Sequence, residues 1–349
     1  MQKLFLPLAL AALRLPAAFA QAPDQAPFQA RSDLASRADQ PSGPLTLAAA
    51  LELAFRANPD LAVAAREIEA LEGAVRQAGV LRNPEIATLV EDTRKETRST
   101  TLQLNQALEL GGKRAARIDA AERTRDAATA EWNAKRADIR ATVIAAFYDT
   151  LAAQERYRLA QASVELAQRA TTAASKRVMA GKVSPVEETK ARVAESGVRV
   201  DMAQAMSELT SARRRLAATW GSATPRFERA EGQAETLPPI PVLPELMQRL
   251  QHAPALVRSQ REVERRQALA QVERSRQTPD ITISLGVKRN EELGRNQALL
   301  GVSIPLALFD RNQGNLQEAL SRTDKARDER IAAEVRLGNE LAQSHERLS

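Results

Sequence analysis

The chain has 349 residues, no cysteine, only 3% aromatic residues, and 50 basic against 44 acidic side chains for a net charge of +6. Without cysteine it holds no disulfide and no lipid-anchored N-terminal Cys. The charges are interleaved, as in Asp119-Ala120-Ala121-Glu122-Arg123, and with so few aromatic stacking partners the basic surplus reads as a solvated helical surface rather than a nucleic-acid site.

Lys3, the apolar stretch from Leu4 to Leu13 and the small-x-small triplet Ala18-Phe19-Ala20 predict an export signal over residues 1–20, followed by an N-terminal linker over 21–44. Beyond that point no run of 18 apolar residues occurs, so no helix is expected to span a bilayer. A membrane crossing would have to be made by strands closed into a barrel.

A helical pattern runs from about Leu47 to Leu81 and is reset at Asn58-Pro59. A strand pair follows, Ile86 to Glu91 and then Leu102, Leu104 and Leu108, around a charged loop from Asp92 to Arg98. After Gly111-Gly112 an uninterrupted helical pattern extends from about Lys113 to Ala180. In it Trp132, Ile139, Val143, Phe147, Leu151, Leu159 and Leu166 recur at helical spacings. Such a rod of some 100 Å at 1.5 Å per residue needs coiled-coil packing against neighbours.

The rod is expected to reverse at Gly181-Lys182-Val183-Ser184-Pro185. Gly181 suits a left-handed helix end, Ser184 an N-cap, Pro185 a first helical position, and Glu187 the far side of a capping box. The returning helix reads from Val186 to about Ala218 and stops near Gly221. Residues 222–244, rich in proline and acidic groups, read as a connector.

The same order then begins again. Asn58-Pro59-Asp60-Leu61 returns as Ala253-Pro254-Ala255-Leu256, Arg66-Glu67-Ile68-Glu69 as Arg261-Glu262-Val263-Glu264, and Asn83-Pro84-Glu85-Ile86 as Thr278-Pro279-Asp280-Ile281. All three pairs lie 195 residues apart, which is the mark of an internal duplication. The second copy has a helix from Pro244 to Gln277, broken at Pro254. Its strands are expected at 281–287 and 298–306, around a charged loop from Arg289 to Asn296. In the first of them Ile281, Ile283, Leu285 and Val287 alternate with polar or small residues, giving one apolar face. Two hairpins cannot close a barrel, so their open edges call for partner chains.

No enzyme constellation appears. His252 and His345 are the only histidines, and His252 reads as a helix-end side chain. Met202 and Met206 share one helix face, which packing explains. Gly111-Gly112-Lys113 lacks the spacing of a phosphate loop. No catalytic, cofactor-binding or metal site is expected.

Export signal, duplicated helix–hairpin–helix halves, strand pairs and a long helical hairpin together resemble the TolC-like outer-membrane efflux family, over nearly the whole sequence from Leu45 onward. Leu45-Thr46-Leu47 with Ala50-Leu51 and Asn58-Pro59 is similar to the family's opening. Gln106-Ala107-Leu108-Glu109-Leu110-Gly111-Gly112-Lys113-Arg114 and the run from Ile304-Pro305-Leu306 to Phe309-Asp310-Arg311-Asn312 and Gly314 are similar to its strand-to-helix junctions. Leu81-Arg82-Asn83-Pro84-Glu85, Glu91-Asp92-Thr93 and the Gly-Gly-Lys-Arg junction most resemble its cobalt–zinc–cadmium branch.

The resemblance implies a mainly α fold with a small β part. A long antiparallel helical hairpin would form a periplasmic tunnel, and four strands would join a barrel shared by a homotrimer. The expected domains are a first efflux repeat over 45–221, the connector over 222–244 and a second repeat over 245–349. A second tip would fall near residue 380, so the second repeat is expected to be incomplete and the sequence truncated at its C-terminus relative to the family. The function implied is a passive heavy-metal exit duct in the outer membrane of a Gram-negative bacterium. It would receive its cargo from an inner-membrane resistance-nodulation-division pump through a periplasmic adaptor met by Gly181, Lys182, Val183, Ser184 and Pro185. A duct for drugs or organic solutes is the alternative within the family. Outside it, a periplasmic adaptor would show one hairpin flanked by lipoyl-like β segments, and a coiled-coil scaffold would lack the alternating strands.

Overall fold

The computed structural model describes residues 43–92, 94–232 and 239–349. The expected export signal and nearly all of the N-terminal linker lie outside the described residues. Seven helices and four strands follow in the order α1 (Leu47–Ala57), α2 (Pro59–Ala78), β1 (Glu85–Glu91), β2 (Ser99–Leu108), α3 (Lys113–Met179), α4 (Pro185–Ala218), α5 (Leu243–Leu250), α6 (Pro254–Ser275), β3 (Ile281–Asn290), β4 (Arg295–Ser303) and α7 (Gln313–Leu348).

Thr46 starts α1 by accepting from the Ala49 N–H at 3.3 Å. Asn58 then separates α1 from α2 by serving both. Its N–H closes α1 on Ala54, and its Oδ1 accepts from the N–H groups of Asp60 (2.8 Å) and Leu61 (3.1 Å), ahead of Pro59 at the first helical position. Its Nδ2 donates to the Thr219 carbonyl at 2.8 Å, which ties this break to the end of α4. Gly221 is part of the same joint. Its φ of +76° is left-handed, and a Cβ there would stand 3.0 Å from Pro59 Cγ. In the second copy Ala253 replaces Asn58, and α6 starts without a side-chain cap.

The principal core lies where α1, the middle of α3 and the end of α4 meet. Leu53, Val143, Phe147, Leu151, Leu216 and Trp220 are buried together, each large side chain contributing roughly 1.5–3 kcal/mol on full burial. Residues just after α4 cover this core. Phe227 packs edge-on against Trp220, and Ala230 pairs with Leu45 as a parallel bridge through Leu45 N–H to Arg229 O (2.8 Å) and Glu231 N–H to Leu45 O (2.9 Å). Gln154 on α3 holds Ala230 from the other side, with one amide hydrogen bond to its carbonyl (2.9 Å) and one from its N–H (2.7 Å).

The apolar stripe read along α3 divides in two. Val143, Phe147 and Leu151 are buried as expected, while Leu159 and Leu166 are exposed. Among the described residues none is buried on α3 beyond Val164 or on α4 before Ala205. The distal hairpin has no apolar core of its own, because Val186, Val193 and Val200 on α4 also face outward.

All four strands form one antiparallel sheet in the order β1-β2-β3-β4. The two hairpins of the duplication therefore join through β2 and β3, from Ser99 opposite Asn290 to Leu108 opposite Ile281. Two expectations need correction. Arg289 and Asn296, read as loop, pair with each other, so the second turn is only Glu291 to Gly294, closed by Gly294 at φ +62°. The last strand, expected to reach 306, ends at Ser303 opposite Thr282, because only Ile281 of β3 remains beyond that pair and Pro305 has no N–H to donate.

The duplication also changes step inside the hairpin. Pro59 and Pro254, at the starts of α2 and α6, are 195 residues apart. Gly112 and Asn312 precede α3 and α7 in the same left-handed conformation, φ +70° and +57°, and are 200 apart. The strands agree. Ile86 faces Leu104 in the first hairpin. In the second, extending the register of Thr282 opposite Ser303 by one step places Ile281 level with Ile304. The step is thus 195 for the first strand of each pair and 200 for the second.

Candidate functional site

The sheet reverses the usual order of a water-soluble protein. One face carries Ile86, Leu104, Leu285 and Leu300 in a single row across all four strands. Thr88, Leu102, Val287 and Ala298 make the next row. Most large side chains on this face are exposed, from 42% at Leu108 to 77% at Leu300, while Ile281 and Ile283 are half-buried. From the Leu108–Ile281 pair to the Leu102–Val287 pair the apolar band is about 20 Å long at 3.3 Å per residue.

The opposite face is mostly polar, with Ser99 and Thr101 buried, and Leu89 and Leu299 are the large apolar side chains on it. There Asn105 Oδ1 accepts from Gln103 Nε2 and Ser284 Oγ, both at 2.7 Å, and Glu91 accepts from Ser99 Oγ (2.8 Å) and Lys288. Gly286 sits opposite Gln103 on this side. A Cβ at Gly286 would stand 2.7 Å from the Leu102 carbonyl oxygen, so β2 and β3 approach more closely than any side chain allows. An apolar exposed face backed by a hydrogen-bonded polar one is the pattern of strands with lipid on one side and water on the other. Both sheet edges, β1 and β4, are unpaired among the described residues.

Where sheet meets helices, five charged side chains form a network that joins the two repeats. Glu109 pairs with Arg117, whose second nitrogen lies 2.9 Å away, and with Arg82 at 3.3 Å. Asp280 accepts from Lys113 and from the Leu110 N–H (3.3 Å), with Arg82 at 3.5 Å. The Arg117 hydrogen bond holds the Glu109 carboxyl below the usual carboxylate range. Burial alone would raise Asp280, but Lys113, the Leu110 N–H and Arg82 outweigh it and hold that carboxyl low as well. Gly111 fits beneath this network in a left-handed conformation, φ +68°, where a Cβ would stand 2.6 Å from Thr278 Cβ. Sequence reasoning misses this network. Glu109 and Lys113 stand in a junction motif and Asp280 is the counterpart of Glu85, but nothing in their spacing says that they meet.

The tip residues lie together at the far end of α3 and α4. Gly181 takes φ +68°, its N–H bonds Val178 O at 2.9 Å, and the Lys182 N–H bonds Arg177 O at 2.9 Å, the paired reversal of a Schellman end. Ser184 accepts from Val186 N at 3.4 Å. The expected capping box is only half made, because the Glu187 carboxylate turns to Lys190 at 2.9 Å instead of reaching back to Ser184. Gly181, Lys182, Ser184 and Pro185 are exposed and Val183 is half-buried. Behind the tip, Thr171, Ser175, Glu188, Arg192 and Glu195 line a polar groove between the helices. No group of three His, Cys, Asp or Glu side chains that could hold a metal ion occurs among the described residues. No described helix is long and apolar enough to cross a membrane.

With this geometry in place, known proteins give a consistent picture. The family described as "outer membrane efflux protein" matches residues 50–222 and 246–347. The cobalt-zinc-cadmium resistance protein CzcC of Cupriavidus metallidurans is 50% identical over 350 residues, 100% of this chain and 83% of that protein. The nickel-cobalt-cadmium resistance protein NccC of Alcaligenes xylosoxydans xylosoxydans is 28% identical over 282 residues, 79% of this chain and 64% of the relative. Among solved structures, CusC superposes with a TM-score of 0.67 at 18% identity, covering 86% of this chain and 74% of that one. The outer membrane protein VceC of Vibrio cholerae gives 0.68 at 20% identity, covering 85% and 77%. These two likenesses are of fold.

Proposed function

Because the chain belongs to the outer membrane efflux protein family, we propose that it is the outer-membrane channel of a heavy-metal cation exporter, a passive exit duct with a periplasmic helical part. The observation that carries this reading is the four-stranded sheet with one exposed apolar face, one hydrogen-bonded polar face and two open edges, continuous with a 67-residue helix. Four strands cannot enclose a channel, and the smallest barrels need about eight. Three copies would supply twelve, with the apolar faces toward lipid and the polar faces toward the lumen. The homotrimer, the periplasmic adaptor met at Gly181–Pro185 and an inner-membrane resistance-nodulation-division pump complete the proposed system. The protein conducts rather than selects, a reading supported by Glu109 and Asp280, whose carboxylates at the sheet–helix junction are held by its own cations. A metal cargo is favoured over a drug because CzcC and NccC are named for resistance to metals.

Deletion of the gene and growth on graded zinc, cobalt and cadmium test this. The deletion strain is expected to lose tolerance to at least one of these metals and regain it on complementation. Unchanged metal tolerance with heightened sensitivity to drugs would move the assignment to organic solutes.

A further inference from the structure

The run Ile304-Pro305-Leu306-Ala307-Leu308-Phe309 is among the most conspicuous exposed apolar stretches of the protein, with Leu306 at 79% and Phe309 at 91% exposure. It follows β4 directly, lies outside any strand, and is alternately apolar as far as Leu308. Its counterpart in the first copy is less exposed, 42% at Leu108 against 62% at Leu308, and it is strand. With the 200-residue step, residues 304–308 correspond to residues 104–108 of β2, and those are paired on their second side by β3.

The duplication supplies the missing partner. In the internal seam Leu104 faces Leu285. Moving Leu104 forward by 200 gives Ile304, and moving Leu285 back by 195 gives Val90, which lies on the open edge strand β1. The seam between one copy and the next is then the internal seam repeated. Ser303 faces Glu91 of a second copy, Ile304 faces its Val90, Pro305 its Leu89 and Leu306 its Thr88. The faces agree, since Ile304 and Leu306 join the apolar side on which Val90 and Thr88 already stand. In this register β4 as it stands shares one position with β1, Ser303 opposite Glu91, so no ladder forms unless the backbone beyond Ser303 also becomes strand.

We infer that residues 304–306 are a latent extension of β4 that becomes strand only against β1 of a second copy, with Ile304 opposite Val90. The inference rests on the several-copy barrel proposed above and adds its register and the segment that changes state. The isolated protomer explains why the extension is latent. Past Ser303 β3 offers only Ile281 on one side and nothing lies on the other, Pro305 cannot donate, and the backbone turns at Leu306–Leu308, with the Leu308 N–H bonded to Leu306 O at 2.9 Å. The internal seam is backed by the charged network of Glu109, Lys113 and Asp280. The corresponding residues of the closing seam, Phe309 and Gln313 on one copy and Glu85 on the next, hold a single charge, so this seam depends on apolar contact.

The protein has no cysteine, so disulfide trapping reads the register directly. The full-length protein bearing Ile304→Cys with Val90→Cys, or Leu306→Cys with Thr88→Cys, is expressed in outer membranes, oxidised and run without reductant. Both pairs are expected to give covalent dimers and trimers, and each single substitution only monomer. Val302→Cys with Val90→Cys is the pairing that keeps the faces but slips the register by two residues, and it is expected to remain monomeric. Cross-linking by the slipped pair alone would overturn the inference, as would an assembled oligomer that neither of the first two pairs can trap. Native mass spectrometry of the unsubstituted protein separates the two levels. If it forms no oligomer, the shared-barrel reading fails as well. If the oligomer is present, only the register does.

Discussion

At the scale of single residues, the chemistry gathers at the junction of sheet and helices. Asp280 is contributed by the second repeat and is satisfied entirely by the first, through Lys113, Arg82 and the Leu110 N–H. Glu109 and Asp280 both have folded-state pKa values below the ordinary carboxylate range. Stability that arises this way is fully present above the unfolded-state pKa and is lost as pH falls through the lower folded value. The junction is therefore expected to hold unchanged from neutral pH to about 4.5 and to weaken below it. Asp280→Asn is expected to cost about 1–2 kcal/mol at neutral pH, a figure discounted from that of a fully buried pair because the site is partly exposed. It is also expected to flatten the acid limb. Thermal unfolding followed by helical circular dichroism from pH 3 to 7 measures both, and an Asn variant with the parental acid limb would show that the network is not what titrates. This network is invisible in the sequence because its members are separated by as many as 198 positions, from Arg82 to Asp280. The tip, by contrast, is legible. Gly181, Ser184 and Pro185 act through neighbours within a few residues, and only the reach of Glu187 departs from expectation, because nearby Lys190 competes for its carboxylate.

At the scale of elements, apolar periodicity locates all four strands, and the proline breaks locate the starts of α2 and α6. It does not say which parts of a long stripe are covered. Phe147 and Leu166 both belong to the apolar pattern of α3, yet only Phe147 meets α1, α4 and the segment at Phe227. The strand ends also differ from the pattern, since alternation continues to Leu306 whereas pairing within one protomer ends at Ser303. The change of step from 195 to 200 is hidden because the two hairpins differ in turn and strand length, and only their registers reveal it. The uneven packing of the helical hairpin has a dynamic consequence. Residues 165–204 are held by polar contacts alone: Glu188–Arg192 and Glu195–Arg199 lie within one helix, and the same carboxylates reach Ser175 and Thr171 on α3. Local opening is expected to begin there. In hydrogen exchange of the purified protein, amides of 165–204 are expected to exchange at least about tenfold faster than those of residues 143–153. Equal protection along the whole of α3 would show that the distal seam is tighter than its polar contacts suggest.

For the molecule as a whole, the duplication explains both what is built and what is left open. Each half supplies a broken helix, a strand pair and the start of a long helix, and the halves join at β2–β3 into one sheet. The same geometry applied once more leads from β4 to β1 of another copy, so the sheet invites continuation by more of itself. Aromatic residues are absent from the four strands, so the apolar band relies on leucine, isoleucine and valine. The exposed Phe309 beyond β4 is the large aromatic side chain nearest to it in sequence. The most direct measurement is the mass and location of the assembly after gentle detergent extraction of native membranes. Three protomers per particle, recovered from the outer-membrane fraction, are the expected result. A lone protomer recovered in the soluble periplasmic fraction would contradict the claim that its sheet is one third of a shared barrel.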